Sequence, residues 1–299
     1  MTPHRTGVLT TLFAGMLAVS GATSAFEFDF KGSLGEQGHT RYVPPLSNPL
    51  LNETPFITTE MRPIFLRNNI PSNFLTRGGN IDLYALELRL AITKRLGLIA
   101  SKDGYARIDF DDVLDDENGF ANASIGFKYA LVSEPETESV VSAGIEYEMP
   151  IGDLETSGID LSGNGQGFLD FFVTGTTTIG KTSVQGSAGI NRALDSDANS
   201  SMLHASAHID YELFPGFFPL IEANHFHFYR KGDNLPVDFE GIDLVNFGAT
   251  DPGKLFTMAV GARYRFNRNF QIGAGYEEPI STREDIMDWR FYLDAVISY

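Results

Sequence analysis

The chain has 299 residues, of which 39 are acidic and 22 are basic, and its formal net charge at pH 7 is −17. This acidic balance excludes nucleic acid as a partner, because a phosphate backbone is bound by basic surfaces. The chain has no cysteine, so an exported form depends on strand pairing and apolar burial instead of disulfide bonds.

Residues 1–25 have the pattern of an export signal. Arg5 precedes an apolar run over residues 8–19, and residues 23–25 are the small residues that a signal peptidase needs. Cleavage is expected after Ala25. The alternative, a membrane anchor, is disfavoured because the apolar run is shorter than the roughly 20 residues of a spanning helix.

From residue 57 to the end, apolar and polar residues alternate with the period of two that is typical of a half-buried β-strand. The last segment shows this clearly, with Trp289 and Phe291 on one face and Arg290 and Asp294 on the other. Most segments have about the ten residues that a tilted strand needs to cross a bilayer. The expected strands are 57–66, 80–92, 96–103, 120–131, 140–151, 168–179, 182–191, 202–213, 219–229, 254–266, 270–278 and 289–299.

The connections between these segments alternate in length. Those after the even-numbered segments are short, such as 93–95 and 267–269, and those after the odd-numbered ones are mostly long, such as 230–253. Short periplasmic turns and longer outer loops are typical of outer-membrane barrels, whereas a soluble all-β protein leaves the alternation unexplained. The sequence therefore predicts an all-β fold, a transmembrane antiparallel up-and-down β-barrel of about 12 strands over residues 57–299.

Residues 26–56 precede the first strand and are rich in glycine and proline. Pro44, Pro45, Pro49 and Pro55 prevent the segment from forming the interior of a sheet. Two interpretations stay open: an irregular periplasmic lead-in, which we favour, and a plug that folds back into the barrel.

Charged side chains of both signs alternate onto the polar strand faces and are expected inside the barrel. About eight strands leave an interior filled by side chains and sixteen or more leave a wide pore, so twelve strands allow a narrow channel. The polar face is either a pathway for a small solute or a salt-bridged filling. The candidates that line the lumen are Glu60, Arg62, Glu87, Arg89, Lys128, Glu146, Glu148, His204, His208, Asp210, Glu222, Arg263, Arg265, Glu277, Arg290 and Asp294.

His204 and Ser206 lie two residues apart on one strand and prompt a test for hydrolase chemistry. The apolar face of that strand carries Leu203 and Ala205, so the histidine and serine are expected to face the lumen and not the lipid. No orienting acid is identifiable, and no metal-ligand spacing surrounds the histidines. We assign no catalytic residue, no metal and no cofactor.

The end of the chain resembles the assembly signal of outer-membrane barrels, which more often ends on Phe. The matching residues are Phe291, Leu293, Ile297 and Tyr299, on one face of the last strand. The resemblance implies recognition by the barrel-assembly machinery and a place in the outer membrane of a Gram-negative bacterium, among lipid and lipopolysaccharide. Acidic residues crowd the long loops, where they form a solvated surface or hold divalent cations that bridge to lipopolysaccharide.

Four short motifs are similar to uncharacterised barrels that are grouped with outer-membrane proteins of the phenol meta-degradation pathway. The resemblance implies admission of hydrophobic or aromatic compounds and brings no catalytic motif. The motifs are Tyr42-Val43-Pro44-Pro45, Glu60-Met61-Arg62-Pro63, Phe214-Pro215-Gly216-Phe217-Phe218-Pro219 and Tyr276-Glu277-Glu278-Pro279.

The leading functional hypothesis is a narrow channel for passive or facilitated uptake of a small solute, which the resemblance makes hydrophobic or aromatic. The first alternative is a structural surface barrel with a filled lumen. A lipid-active outer-membrane hydrolase is less favoured.

Overall fold

Antiparallel strands make up nearly all the regular structure of the chain, as seen in a computed structural model that describes residues 28–299. The predicted export signal, residues 1–25, lies outside the described residues. Two short 3-10 helices span Gly32–Leu34 and Pro135–Thr137. The strands are β1 (Glu60–Asn69), β2 (Gly79–Ala91), β3 (Leu96–Phe110), β4 (Glu117–Phe120), β5 (Ala123–Glu134), β6 (Ser139–Met149), β7 (Glu155–Thr156), β8 (Ile159–Asp160), β9 (Phe168–Ile179), β10 (Thr182–Ala193), β11 (Ser201–Tyr211), β12 (Phe217–Arg230), β13 (Gly253–Asn267), β14 (Phe270–Pro279) and β15 (Trp289–Ser298).

The strands of the described residues close into a barrel. β1 pairs with β2 on one side and with β15 on the other, from Glu60 opposite Ser298 to Asn69 opposite Trp289. β4 and β5 both pair with β3, one after the other, so they count as one interrupted strand and the barrel has twelve. β7 and β8 form a separate hairpin in a loop. The predicted all-β, twelve-stranded antiparallel barrel is thus confirmed.

Side chains alternate between the inside and the outside of the wall. β1 shows the pattern, in which every second residue is buried and its neighbours are more exposed. The outer face carries large apolar side chains such as Val260 and Phe266, both 56% exposed. An apolar outer surface of this kind is suited to lipid. None of the described residues forms a helix long and apolar enough to span a membrane.

The two ends of the barrel differ. At the short-turn end, strands are joined by brief connections such as Gly180 and Lys181, and β1 begins and β15 ends there. At the opposite, long-loop end lie the connections 150–167, 231–252 and 280–288. The predicted alternation of short and long connections is therefore present around the barrel.

Residues 42–58, the inserted hairpin, lie inside the barrel. Their chain rises from the short-turn end and turns at Asn48, whose carbonyl accepts hydrogen bonds from the amides of Leu51 and Asn52 at 3.1 and 2.8 Å. It then descends to β1. Tyr42, Ser47 and other members of the hairpin are almost wholly buried. A periplasmic lead-in, the interpretation favoured from the sequence, therefore does not apply to residues 42–58.

The physical reason lies in the prolines of the hairpin. Proline lacks the N–H that a ladder needs, which disfavours regular strand pairing in this segment, and the carbonyl groups of Pro44, Pro45 and Pro55 accept hydrogen bonds from side chains of the wall instead. Ser142, for example, donates to the Pro55 carbonyl at 2.5 Å. The same residues that exclude a strand therefore suit a lumen lined by donors.

At the long-loop end the inner face of the wall is apolar, which the sequence analysis did not anticipate. Ile64 and Phe226 of the wall are buried against Leu51 at the tip of the hairpin and against Leu244 and Phe247 of loop 231–252. We call this cluster the upper core. It closes the long-loop end with packed apolar side chains.

The lipid-facing assignment predicts a depth-dependent cost for charge. Val260 lies midway along β13 and Phe266 near its short-turn end, and both are equally exposed. Val260→Arg is expected to lower the free energy of unfolding in lipid by about 2–4 kcal/mol, because the guanidinium is placed near the midplane. Phe266→Arg, the matched control, is expected to cost about 0–1 kcal/mol. Urea titration in vesicles measures both, and equal costs would contradict the membrane orientation.

Candidate functional site: the lumen

The centre of the lumen contains one carboxylate held between two guanidinium groups. Arg62 donates from Nε to Asp294 at 2.7 Å, and Arg263 donates from both terminal nitrogens to the same carboxylate at 2.8 Å. Arg62 also pairs with Glu87 at 3.3 Å. Their side chains are at most 2% exposed. Ions this deeply buried require such close pairing, because their desolvation costs several kcal/mol each.

The same two arginines bind the inserted hairpin. Arg62 donates to the carbonyl oxygen of Pro45 at 2.6 Å, and Arg263 donates to that of Pro44 at 3.1 Å. These contacts join the wall strands β1, β13 and β15 to the hairpin in one network. We call this network, with Glu87, the charged layer.

The descending arm of the hairpin supplies a carboxylate of its own. Glu53 accepts hydrogen bonds from Arg89 at 2.9 and 2.6 Å and from Lys128 at 2.6 Å. Lys128 also donates to the carbonyl of Thr54 at 2.6 Å, and Arg89 pairs with Glu60 at 2.8 Å. The hairpin thus adds a carboxylate that both cations of the wall share at this point.

The ascending arm of the hairpin is held through its backbone amides. Glu222 accepts from the amides of Leu46 and Ser47 at 2.8 and 2.6 Å, and it contacts Nδ1 of His208 at 2.6 Å. The other ring nitrogen of His208 lies 3.2 Å from Asp210. This histidine therefore bridges two carboxylates, one of which holds the hairpin.

A buried ion pair fastens loop 231–252 over the long-loop end. Arg290 donates to Asp243 of that loop at 2.6 Å and to Asn68 at 2.7 Å, and neither side chain of the ion pair is exposed. Below it, Glu277 accepts from Asn224 at 2.8 Å and from the hydroxyl of Tyr292. The long-loop end is therefore closed by ionic contacts as well as by the upper core.

The remaining candidates occupy the periphery of the lumen. His204 lies 2.9 Å from Asp170, Asn122 donates to Glu148 at 2.8 Å, and Glu146 accepts from two serines. Arg265 differs from the others because it is only partly buried, at the short-turn end. All the other predicted lumen candidates are buried.

His204 and Ser206 have different hydrogen-bond partners. The imidazole of His204 lies beside Asp170, whereas the hydroxyl of Ser206 accepts from Asn48 of the hairpin at 3.3 Å. Asp170 is thus an acid that can orient His204, which the sequence did not identify. Ser206, however, is hydrogen-bonded to the hairpin and not to His204.

Sequence reasoning missed three carboxylates that complete the lumen: Glu53, Asp170 and Asp243. Asp170 lies in β9 opposite Glu146, and its alternation with Phe171 could have placed it on the inner face. Glu53 and Asp243 lie outside the strands, where periodicity gives no signal.

Above the charged layer is a small cavity of about 60 Å³. Such a volume accommodates only a few water molecules. Leu83, Phe228 and Ile242 form part of its apolar lining, while Asn122 and Glu148 add polar groups on one side. The lumen is closed to solutes in this conformation.

Glu138 and Glu240 are among the carboxylates outside the spanning strands that have shifted pKa values. Partial burial raises the pKa of Glu138, in the turn after β5, but hydrogen bonds from His39 and Thr40 outweigh it and lower the value to about 2. Burial raises the pKa of Glu240, in loop 231–252, to about 6 against hydrogen bonds from the amides of Phe247 and Gly241. The first carboxylate anchors the chain before the hairpin and the second stabilises the loop that covers the lumen.

No model of a known protein family matches the chain, and no curated protein matches it either. Among solved structures it is similar to an outer membrane channel from Pseudomonas putida F1, with a TM-score of 0.58, 14% identity, and coverage of 86% of this chain and 100% of that one. It is also similar to the NanC porin, with a TM-score of 0.48, 7% identity, and coverage of 81% and 99%. The KdgM porin gives a TM-score of 0.45, 13% identity, and coverage of 80% and 99%.

The Pseudomonas structure decides the fold. The chain has the fold of outer-membrane β-barrels. At this identity the likeness concerns the fold alone, and the two porins, with TM-scores below 0.5, add nothing to the argument. The grouping with phenol-degradation proteins finds no support in the names of these structures.

Removing the central carboxylate should destabilise the barrel strongly. Asp294→Ala leaves Arg62 and Arg263 buried without their shared partner, and we expect the free energy of unfolding to fall by about 3–5 kcal/mol. The matched control is Asp82→Ala, which removes a carboxylate from a pair with Arg67, whose side chain is 47% exposed. Its expected cost is about 1 kcal/mol or less. Denaturant unfolding in detergent measures both, and similar costs would mean that the charged layer is hydrated.

Loop 231–252 should loosen as the pH rises. The folded-state pKa of Glu240, about 6, exceeds the ordinary value of 4.5. The folded loop therefore binds more protons than the unfolded one, and its stability falls as the pH rises from 4.5 through 6. Hydrogen exchange at the Phe247 amide, which donates to Glu240 at 2.6 Å, reports this opening. Relative to Glu240→Gln, exchange should match at about pH 4 and be faster at about pH 7.5; an unchanged ratio contradicts the assignment.

Proposed function

We propose that the chain is an outer-membrane channel for a small solute, closed by the inserted hairpin together with loop 231–252 and opened when both withdraw. The observation that carries the proposal is the way in which the lumen is closed. A separate segment, entered and left at the short-turn end, fills the space that twelve strands enclose. Wall side chains alone do not close it.

The contacts of the hairpin suit reversible closure. They are mostly hydrogen bonds and ion pairs, among them those of Glu53, Glu222 and the carbonyls of Pro44 and Pro45. Water admitted to the lumen can replace each of these partners. The net contribution of one hydrogen bond to stability is only about 0.5–1.5 kcal/mol, because the groups exchange a protein partner for water. Withdrawal then exchanges these polar contacts for hydration, and its main cost below the upper core is exposure of buried apolar side chains such as Tyr42, Phe56 and Ile57.

The solute class is the finer part of the proposal. The upper core and the cavity beneath loop 231–252 present apolar side chains, including Phe228 and Met202, to whatever enters from the long-loop end. This lining agrees with the hydrophobic or aromatic solutes implied by the resemblance. An apolar solute gains about 25 cal/mol for each Å² that it buries there.

The orientation and assembly of the barrel follow from the same fold. We place the short-turn end in the periplasm and the long loops outside, the arrangement common to bacterial outer-membrane barrels. Phe291, Leu293, Ile297 and Tyr299 all lie on the exposed outer face of the closing strand or its end. They remain the proposed signal for the assembly machinery, with outer-membrane lipid and lipopolysaccharide as surroundings.

A second candidate function is a structural barrel with a permanently filled lumen. The observation that favours it is the charged layer, which runs from β1 through Asp294 to β13 and includes the hairpin. A filling of this kind needs no moving part.

Conductance distinguishes the two functions. Glu53→Ala removes the carboxylate that pairs with Arg89 and Lys128, so it should weaken the hold on the hairpin and increase the open probability in planar bilayers at least several-fold. Asp82→Ala is the control, because it removes one carboxylate from the outer wall. If wild type and Glu53→Ala are both silent, the channel proposal fails and the filled barrel stands.

A further inference from the structure

The outer surface of four neighbouring strands, β10 to β13, carries charge of one sign only. On these strands, which the structure describes in full, every outward-facing charged side chain is basic and lies near the long-loop end. Other strands carry acids on their outer face, such as Asp82 on β2 and Glu278 on β14, and the whole chain has a net charge of −17. We call the exception the basic patch, and its members are Arg192, Arg230, His227 and Lys254.

The cations of the basic patch have no counter-ion in the protein. Among the described residues, the side chains of Arg192 and Lys254 take part in no ion pair or hydrogen bond, and Arg230 donates to the hydroxyl of Ser196 at 2.9 Å. Asp251 precedes Lys254 by three residues, but it is paired with Lys231 at 3.0 Å. The charge of the patch is therefore available to a ligand.

His227 and Lys254 lie directly opposite each other on β12 and β13. Nδ1 of His227 is 3.1 Å from the carbonyl oxygen of Gly253 and must donate to it, because a carbonyl oxygen only accepts. Nε2 is therefore the nitrogen that takes up the second proton and then donates to a ligand. Two basic groups opposite each other repel, and an anion between them removes that cost.

The height of this pair matches the edge of the hydrocarbon layer. Val260 on β13 pairs with Ile221 on β12 midway along the wall, and Lys254 and His227 each lie six residues further towards the long loops. At about 3.3 Å per residue and a strand tilt of about 40°, they lie about 15 Å above the midplane. The hydrocarbon core is about 30 Å thick, so its boundary with the lipid head groups is at this level.

Below the basic patch the outer surface is apolar. The ring of Phe256 stacks on that of His225 with centroids 4.2 Å apart. Leu203, Met258 and Val260 are 38%, 39% and 56% exposed on the neighbouring strands. An amphiphile with an anionic head and acyl chains contacts both surfaces at once, whereas a soluble anion contacts the cations alone.

We propose that the basic patch binds the phosphate groups of a phosphorylated lipid in the outer leaflet, while the acyl chains lie along β11 to β13. Lys254 and His227 form one pair of phosphate donors, and Arg192 and Arg230 form another, through charge-assisted hydrogen bonds. The inference rests on the part of the proposed function that places the long loops outside. It gives lipopolysaccharide a direct contact that needs no divalent cation held by the acidic loops.

Binding of lipid A, the phosphorylated lipid part of lipopolysaccharide, tests the basic patch. The purified full-length barrel is titrated with lipid A in a zwitterionic detergent that contains EDTA, and native mass spectrometry measures the bound fraction. Arg192→Gln/Lys254→Gln should weaken binding at least tenfold, because each cation near a membrane surface contributes about fivefold. An affinity equal to that of the wild type overturns the proposal.

The matched control is Arg67→Gln/Arg107→Gln, which removes the same charge near the long-loop end of β1 and β3. These two outward-facing arginines flank Asp82 in register, and Arg67 is bound to it. The control should change the affinity less than twofold. A loss equal to that of the patch variant means that net charge alone governs binding and overturns the site. Heat-modifiable gel mobility checks that each variant is a folded barrel.

Three further outcomes identify the ligand chemistry. Lipid A without its phosphates should bind the wild type at least tenfold more weakly, and equal binding would mean that apolar contact alone is responsible. A large excess of inorganic phosphate should not displace lipid A, and full displacement would mean a site for free anions. Loss of wild-type binding in EDTA would mean that divalent cations on the acidic loops form the bridge. Each of these contrary results overturns the proposal.

Ion conductance of Glu53→Ala in planar bilayers separates this inference from the channel proposal. Conductance together with lipid A binding that ignores the patch substitutions overturns the lipid site and leaves the channel intact. A silent Glu53→Ala barrel whose lipid A binding depends on Arg192 and Lys254 overturns the channel and supports the lipid site. Absence of both overturns both.

Discussion

Closure of the hydrogen-bond ladder between β1 and β15 is the constraint on which the rest of the structure depends. An unpaired backbone amide or carbonyl in hydrocarbon costs several kcal/mol, so a sheet in lipid cannot have a free edge. The ladder from Glu60 to Asn69 removes both edges at once. The number of strands in the closed barrel in turn sets the width of the lumen that the inner face must fill or hydrate.

How that lumen is filled follows from the cost of buried charge. A guanidinium or carboxylate in a narrow lumen must be paired or solvated, and the wall provides an incomplete set of partners. The inserted hairpin completes it with the Glu53 carboxylate, the Leu46 and Ser47 amides, and proline carbonyls. These are polar contacts that water can substitute. The apolar contacts, which water cannot replace, lie at both ends of the hairpin, at its tip near Leu51 and at its base around Tyr42, Phe56 and Ile57.

The wall could be predicted from the sequence because alternation reports directly which face of a strand meets lipid. This alternation predicted the twelve strands, the connections between them, and the inward orientation of residues such as Arg62 and Asp294. It could not place the hairpin, since proline-rich segments have no periodicity and their role depends on donors elsewhere in the chain. It also treated residues 120–131 as one regular strand, whereas the structure breaks it at Ala121.

The inner face of β1 also changes from charged to apolar along its length, which alternation alone does not show. β1 turns Glu60 and Arg62 inward near the short-turn end and Ile64 and Leu66 inward near the long loops. The inner face of this strand is therefore charged below and apolar above. A solute that is stabilised in the upper half is opposed by desolvation in the lower half, and the reverse holds for a polar solute. A single straight bore therefore serves neither kind of solute well, and under the proposed function the inserted hairpin has to withdraw before either can pass the charged half.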